Sequence, residues 1–182
     1  MIVRTNRIIA LAAAILCCCS AFSQTHSAGI FNSPKGFGID WCSIRSDGTY
    51  FNSFNLYMDL CGVISGRTGT PGVKFDFCHD IIVKEKPVGQ TRCLIYAGPG
   101  ASVGYLRDFK SETMGAMIAL NGSAGAKFIF SRGLSLDIGL GAELGLDISH
   151  KDSDPNAKVV TLYKNGLIRL LYPQLKIEYS FK

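Results

Sequence analysis

The residue types that could perform hydrolytic chemistry come together at one place in the sequence. Ser149, His150 and Asp152 have the composition of a nucleophile, a general base and an orienting acid. Neighbouring residues on an extended strand point to opposite faces, which keeps adjacent side chains from forming a relay. We therefore expect a polar loop here and no enzyme activity, with a hydrolase that uses His150 as an alternative.

The cysteines match no metal site. Seven are present, and three of these stand at positions 17 to 19. Ile15 and Leu16 are bulky where lipoprotein processing favours small residues, so lipid attachment to these three is disfavoured. The other four, whose spacing fits no zinc pattern, are Cys42, Cys61, Cys78 and Cys93. We expect free, packed thiols, with a Cys61–Cys78 disulfide as the alternative.

Two glycine-rich stretches resemble phosphate loops only in composition. They are Gly98-Pro99-Gly100 and the glycines at 139, 141 and 145. Neither stretch comes at a strand-to-helix turn, where a phosphate-binding loop has to lie. The sequence thus predicts no catalytic residues, no metal and no cofactor.

Composition and charge exclude a nucleic-acid partner. The 182 residues carry a net charge of +5, but Arg4 and Arg7 belong to the N-terminal segment. Without these two, 17 of the 19 basic residues remain, against 14 acidic residues, which gives a net charge near +3. No basic cluster stands out along the chain, so we expect no binding to nucleic acid.

The N-terminus is typical of an export signal. Two arginines precede the apolar segment Ile8–Cys19, and Ala21-Phe22-Ser23 places small residues at a cleavage site. Cleavage there would leave Gln24 as the first residue. The predicted organisation is a signal peptide over residues 1–23 and one domain over residues 24–182.

Strict alternation of apolar and polar residues predicts β-strands. The clearest case is Leu134–Ile148, in which apolar residues fill every even position and polar residues or glycines every odd one. As a helix this segment would scatter its leucines around all sides and carry three interior glycines, each costing about 1 kcal/mol. Strands are predicted at Phe37–Ile44, Thr49–Ile64, Val73–Val83, Thr91–Leu106, Ala116–Phe130, Leu134–Ile148 and Gln174–Lys182.

An eighth strand is expected within Val159–Leu171, although Asn165-Gly166 could form a turn there. Turns are predicted at Ser46–Gly48 and Ser131–Gly133, and loops at Ser65–Gly72 and Lys84–Gln90. The fold class that follows is all-β, an antiparallel up-and-down transmembrane β-barrel of eight strands.

Alternation alone does not say which face points outward. The chain has 20 glycines, and those at 98, 100, 104, 139, 141 and 145 share the face that carries charges of both signs. The crowded interior of a narrow barrel accommodates such a face better than a solvated surface does. The charges expected inside the barrel are Asp59, Asp76, Lys127, Asp137, Glu143, Lys176 and Glu178. The alternatives are a narrow pore and a soluble exported barrel that binds an apolar ligand.

With these features the chain resembles the small outer-membrane β-barrel proteins of Gram-negative bacteria. The resemblance rests on the signal peptide, the Tyr96–Ala101 run, the hairpin at Ser131–Gly133 and the closing strand ending Tyr179-Ser180-Phe181. It implies an outer-membrane location, contact with membrane lipid and a structural or surface-interaction role. An extracellular or periplasmic protein partner is left open.

The resemblance also implies that the barrel-assembly machinery recognises the last strand through Tyr179 and Phe181. Lys182 follows Phe181 and departs from the family pattern, in which the aromatic residue is terminal. Aromatic residues near strand ends are further expected to form an interfacial girdle. They are Tyr96, Tyr105, Tyr172, Tyr179 and Phe181.

Overall fold

The computed structural model describes residues 24–64, 70–107, 114–151, 154–162 and 171–181. The predicted signal peptide lies outside these ranges. The elements are β1 (Gln24–Ser33), β2 (Gly36–Arg45), β3 (Tyr50–Asp59), α1 (Cys61–Ile64), β4 (Gly72–Val88), β5 (Thr91–Arg107), β6 (Met114–Ile129), β7 (Leu134–Lys151), β8 (Asp154–Leu162) and β9 (Leu171–Phe181). Within the described residues, the helices are too short or too polar to cross a membrane.

The strands form a closed antiparallel barrel with eight positions. Each strand from β1 to β7 pairs with the next, and β9 pairs with both β7 and β1 to close the ring. Strands β8 and β9 share the eighth position, because β7 pairs with β9 along Leu134–Ala142 and with β8 beyond Leu146. The prediction of an all-β, up-and-down, eight-stranded barrel is confirmed.

The first strand was missed by the sequence analysis, which began the sheet at Phe37. β1 starts at Gln24 and pairs with β2 over its whole length. Its inward positions include Ser27 and Phe31, whereas Asn32 lies on the outward side. Because Phe31 points inward and Asn32 points outward, β1 lacks the apolar–polar alternation from which the other strands were recognised.

The eighth position also differs from the prediction. The expected strand over residues 159–171 overlaps the end of β8 and the first residue of β9. Residues 163–170, which include the Asn165-Gly166 turn candidate, lie outside the described ranges. The long β7 is paired by two successive segments, β9 along its first part and β8 along its last part. Alternation within one segment does not show that two segments share one position in the barrel.

Two further strand boundaries correct the prediction. β3 ends at Asp59 rather than Ile64, because the chain then makes a helical turn in which Ile64 N donates to Leu60 O at 2.8 Å. β4 continues to Val88 through the predicted loop. Its pairing with β3 stops at Ile81, so Pro87, which has no N–H, lies on an unpaired edge where proline is tolerated.

The two ends of the barrel differ in their connections. One end, called the turn end below, carries Gln24, Phe181 and the three connections at 46–49, 89–90 and 130–133. Each of these turns contains one glycine in the left-handed region, Gly48, Gly89 or Gly133, as tight hairpin turns require. The opposite end, called the loop end, carries the connections after β1, β3, β5 and β7.

The apolar face of the strands points outward. Exposed side chains on this outer face form a continuous apolar belt that includes Ile39, Leu56, Phe75, Val103, Ile118, Leu120, Leu140, Leu144, Leu175 and Ile177. The opposite face, which carries most of the charged residues of the strands, is buried inside the barrel. The barrel is therefore apolar outside and polar inside, the reverse of a soluble ligand-binding barrel.

Candidate functional site

The structure places all seven predicted interior charges inside the barrel, each at most 4% exposed. Five more charged residues are buried with them: Lys35, Asp40, Lys74, Asp80 and Asp147. Among the described residues, the interior thus holds four lysines and eight carboxyl groups. Buried charges are stable only when they are paired and hydrogen-bonded, so their partners define what the interior can do.

Glu143 organises the cluster nearest the loop end. Its carboxylate accepts hydrogen bonds from both Lys35 and Lys74, and Lys74 also lies 4.0 Å from Asp59. The Lys35 ammonium is 4.2 Å from the centre of the Tyr172 ring, a cation–π contact. Four strands and the β1–β2 turn are thereby joined through one carboxylate.

A second group of contacts lies at mid-height. Lys176 Nζ donates to Asp40 Oδ1 at 2.8 Å. Beside this pair, Asn121 Nδ2 donates to Ser102 Oγ at 2.6 Å, and Cys78 Sγ donates to Asn121 Oδ1 at 3.4 Å. Within this group, the charges of Lys176 and Asp40 balance each other.

Lys127 is the centre of the cluster nearest the turn end. Its Nζ donates to both oxygens of Glu178, at 2.6 and 2.7 Å, and Glu178 also accepts a hydrogen bond from Ser27. The same Nζ lies 3.1 Å from Cys42 Sγ. Lys127 stands on β6 and Cys42 on β2, which are opposite positions in a ring of eight. One side chain therefore bridges the full width of the lumen.

Hydroxyl groups donate hydrogen bonds to two further carboxyl groups, those of Asp137 and Asp80. Tyr96 Oη donates to Asp137 Oδ1 at 2.6 Å from two strands away. Asp80 accepts hydrogen bonds from Ser53, at 3.3 Å, and from Ser123. The Tyr96–Asp137 and Ser123–Asp80 contacts each join strands two positions apart, so side chains from several strands meet inside the barrel.

Two of the tyrosines expected in the girdle lie inside the barrel instead. Tyr96 and Tyr172 are 2% and 5% exposed, whereas Tyr105, Tyr179 and Phe181 point outward as expected. The interior glycines leave the space that these two rings occupy. A Cβ at Gly125 or Gly139 would come within 2.8 Å of Tyr96 Oη, and one at Gly141 would overlap the Tyr172 ring. Glycine is required here because an aromatic side chain occupies the space above it.

The outer surface near the turn end carries an aromatic group. Trp41 packs edge-on against Phe181 with ring centres 5.2 Å apart, and against His26 at 5.7 Å. His79, predicted on the apolar face, stacks on Tyr50 at 4.6 Å and its Nδ1 lies 2.7 Å from Asn52 Oδ1. Neither histidine is placed beside a nucleophile by these contacts.

The cysteines of the described strands are free. Cys42, Cys78 and Cys93 are buried thiols, so the alternative of a Cys61–Cys78 disulfide is wrong. The polar loop expected at Ser149 and His150 is wrong, because β7 continues through these residues to Lys151 and pairs there with β8. The side chains of Ser149 and His150, and the whole of Asp152, lie outside the described part of the chain.

Lys35 is the residue of the interior that sequence reasoning missed most clearly. It lies in the β1–β2 turn, between residues that pair as Ser33 and Gly36, yet it is 2% exposed. No alternation signals a residue in a turn, and the strand before it was not recognised. A lysine flanked by Pro34 and Gly36 was the only local hint.

Comparisons of the chain with protein-family models, with curated proteins and with solved structures found no match. What the interior can do therefore follows from its geometry. Within the described residues, no group of three or more His, Cys, Asp or Glu side chains could hold a metal ion. The arrangement is a polar core that ties opposite walls of the barrel together.

Proposed function

We propose that this protein is a small integral barrel of the outer membrane, with a structural or surface-interaction role and a side-chain-filled interior. The observation that carries the proposal is the orientation of the two faces, with the apolar side chains outside and the charges inside. Leu120, for example, is 73% exposed and Leu144 is 61% exposed in the middle of their strands. Such a belt is unfavourable in water and favourable against lipid chains.

The longest connection of the barrel, residues 60–71, and the β5–β6 connection at 108–113 both lie at the loop end, and this supports an orientation in the membrane. Bacterial outer-membrane barrels have short periplasmic turns and longer extracellular loops. We place the turn end, with its three glycine turns, on the periplasmic side. In this orientation Tyr179 and Phe181 end the last strand at the side from which the barrel-assembly machinery would engage it.

The cross-lumen contacts argue against the two alternatives. A pore needs a continuous water path, but Lys127 reaches Cys42 on the opposite wall, and Glu143 contacts Lys74 three strand positions away. A soluble carrier of apolar ligands needs an apolar cavity, whereas this interior is lined by charges and hydroxyl groups. A side-chain-filled barrel fits these contacts better than either alternative.

Membrane fractionation with a matched pair of variants tests the proposal. The wild-type chain should be recovered in the outer membrane and should change gel mobility on boiling. Leu120→Lys, near the middle of β6, should destabilise a membrane barrel by about 2–4 kcal/mol. Val88→Lys, 59% exposed in the projecting β4–β5 hairpin, should have little effect.

The alternative of a soluble barrel predicts a different pattern. In water both substitutions replace an exposed apolar side chain with a charged one, and both should be neutral or improve solubility. Recovery in the soluble fraction, or an unchanged stability of Leu120→Lys, would contradict the membrane proposal.

A further inference from the structure

The charges at the turn end are unbalanced in favour of basic residues. The exposed charged side chains described at this end are Arg45, Asp47, Lys84, Glu85, Lys86, Arg92 and Arg132. Five are basic and two are acidic. The interior charges are shielded by the barrel wall, so this rim determines the electrostatic character of the end.

Both acidic residues of the rim are already paired with arginine. Arg45 Nε lies 2.9 Å from Asp47, and Arg92 Nε lies 2.7 Å from Glu85. Thr49 donates two further hydrogen bonds to Asp47, through its hydroxyl group and its amide, and these hydrogen bonds lower the pKa of Asp47. Asp47 is therefore ionised at neutral pH and offsets Arg45.

Three basic residues are left without an ion pair among the described residues: Lys84, Lys86 and Arg132. Lys84 pairs with Ile95, which is exposed on the outer face, so Lys84 and Lys86 point outward directly below the apolar belt. Arg132 lies in the β6–β7 turn, and its hairpin is joined to the β4–β5 hairpin through β5–β6 pairing. The three cations thus belong to neighbouring hairpins.

The outer face at the turn end also carries exposed aromatic residues. Tyr179 and Phe130 are exposed near the turn end, together with the Trp41–Phe181 pair. The turn end therefore combines exposed aromatic and basic side chains next to the apolar belt. Both kinds of side chain are favoured where a membrane protein meets the headgroups of a phospholipid layer that carries negative charge.

We propose that the Lys84–Lys86–Arg132 rim binds the phosphate groups of anionic phospholipids in the leaflet at the turn end. This inference rests on the proposed function, since it needs the barrel to be in a bilayer. Basic residues near an anionic surface contribute about 1 kcal/mol each, which corresponds to about fivefold in affinity per cation. The rim thus makes the protein prefer anionic lipid as its neighbour.

The test uses the full chain purified from membranes in detergent. Native mass spectrometry during titration with phosphatidylglycerol, or with phosphatidylcholine of the same acyl chains, measures the dissociation constant of the first bound lipid. Wild-type protein should bind phosphatidylglycerol at least about fivefold more tightly, less so at high salt. The K84Q/K86Q/R132Q variant should lose this preference.

The matched control is E85Q/R92Q, which changes the same hairpin but leaves the net charge of the rim unchanged. It should keep the preference. Equal affinity of the wild type for the two lipids, or an unchanged preference in K84Q/K86Q/R132Q, would overturn this inference alone. Recovery of the wild-type chain as a soluble protein would overturn both this inference and the proposed function.

Discussion

At the scale of single residues, Glu143 holds two buried lysines, Lys35 and Lys74, against the wall of the barrel. Glu143→Gln would remove the carboxylate charge that both lysines contact, whereas the Asp59 carboxylate is farther away, at 4.0 Å from Lys74 Nζ. Removal of one partner from a buried pair leaves an uncompensated charge. We expect the free energy of unfolding to fall by about 3 kcal/mol, measured by urea titration in bilayers.

The control for Glu143 is the exposed ion pair of the β4–β5 hairpin. The side chains of Arg92 and Glu85 are 56% and 41% exposed, so water screens their attraction. Glu85→Gln should therefore cost less than about 1 kcal/mol under the same conditions. Equal losses for the two substitutions would mean that the interior pair is solvated and the lumen is open to water.

Gly141 and Tyr172 test the packing of the interior. A methyl group at Gly141 would overlap the Tyr172 ring, so Gly141→Ala should cost about 1–3 kcal/mol. In a Tyr172→Ala background the same substitution should cost much less, because the space is then free. Equilibrium unfolding of the four proteins in this cycle gives the coupling between the two positions. Additive losses would show that Tyr172 does not occupy the space above Gly141.

At the scale of elements, Gly89 tests whether backbone geometry alone sets the β4–β5 turn. Its φ is 63°, and a Cβ there would meet nothing within 4 Å. Gly89→Val should cost about 1–2 kcal/mol, because a branched residue resists the left-handed conformation. Gly89→Asn should be tolerated, since asparagine adopts that conformation readily. The comparison of their urea midpoints checks this, and an equal loss for Asn and Val would count against the assigned turn.

At the scale of the whole molecule, the β1–β9 seam decides whether the barrel is closed. Ala28 is paired directly with Tyr179 across this seam. Cysteines placed at both positions should form a disulfide only in the closed barrel, because the bond needs the two Cα atoms within about 7 Å. Non-reducing gels and mapping of the linked peptides would detect it.

A displaced pair provides the control for the seam. Leu175 lies on the same strand and the same outward face as Tyr179, but it is paired with Asn32. Cysteines at Ala28 and Leu175 should not link, since they are separated by four residues of strand. Efficient linking of this second pair would indicate a shifted register or an open, mobile first strand.

The strand pattern and the turns could be predicted from the sequence because they are local. Alternation in Leu134–Ile148 follows from the two-residue period of a strand, and the turn at Ser131–Gly133 follows from the need for a left-handed residue. The charges of the interior could be assigned to one face for the same reason. β1 escaped recognition because its inward and outward positions do not differ in polarity.

The alternation of residues along a strand contains no information about distances across the barrel. The tertiary structure determines which side chains meet there. Alternation is the same whether the apolar face points in or out. The glycines on the charged face predicted that this face points inward, and the closed sheet shows that it does. The inward position of Tyr96 and the Lys127–Cys42 contact depend on the registers of several strands added together. Residues far apart in sequence meet in the lumen because ring closure brings opposite walls together. Ring closure depends on the pairing of all the strands, from β1 to β9.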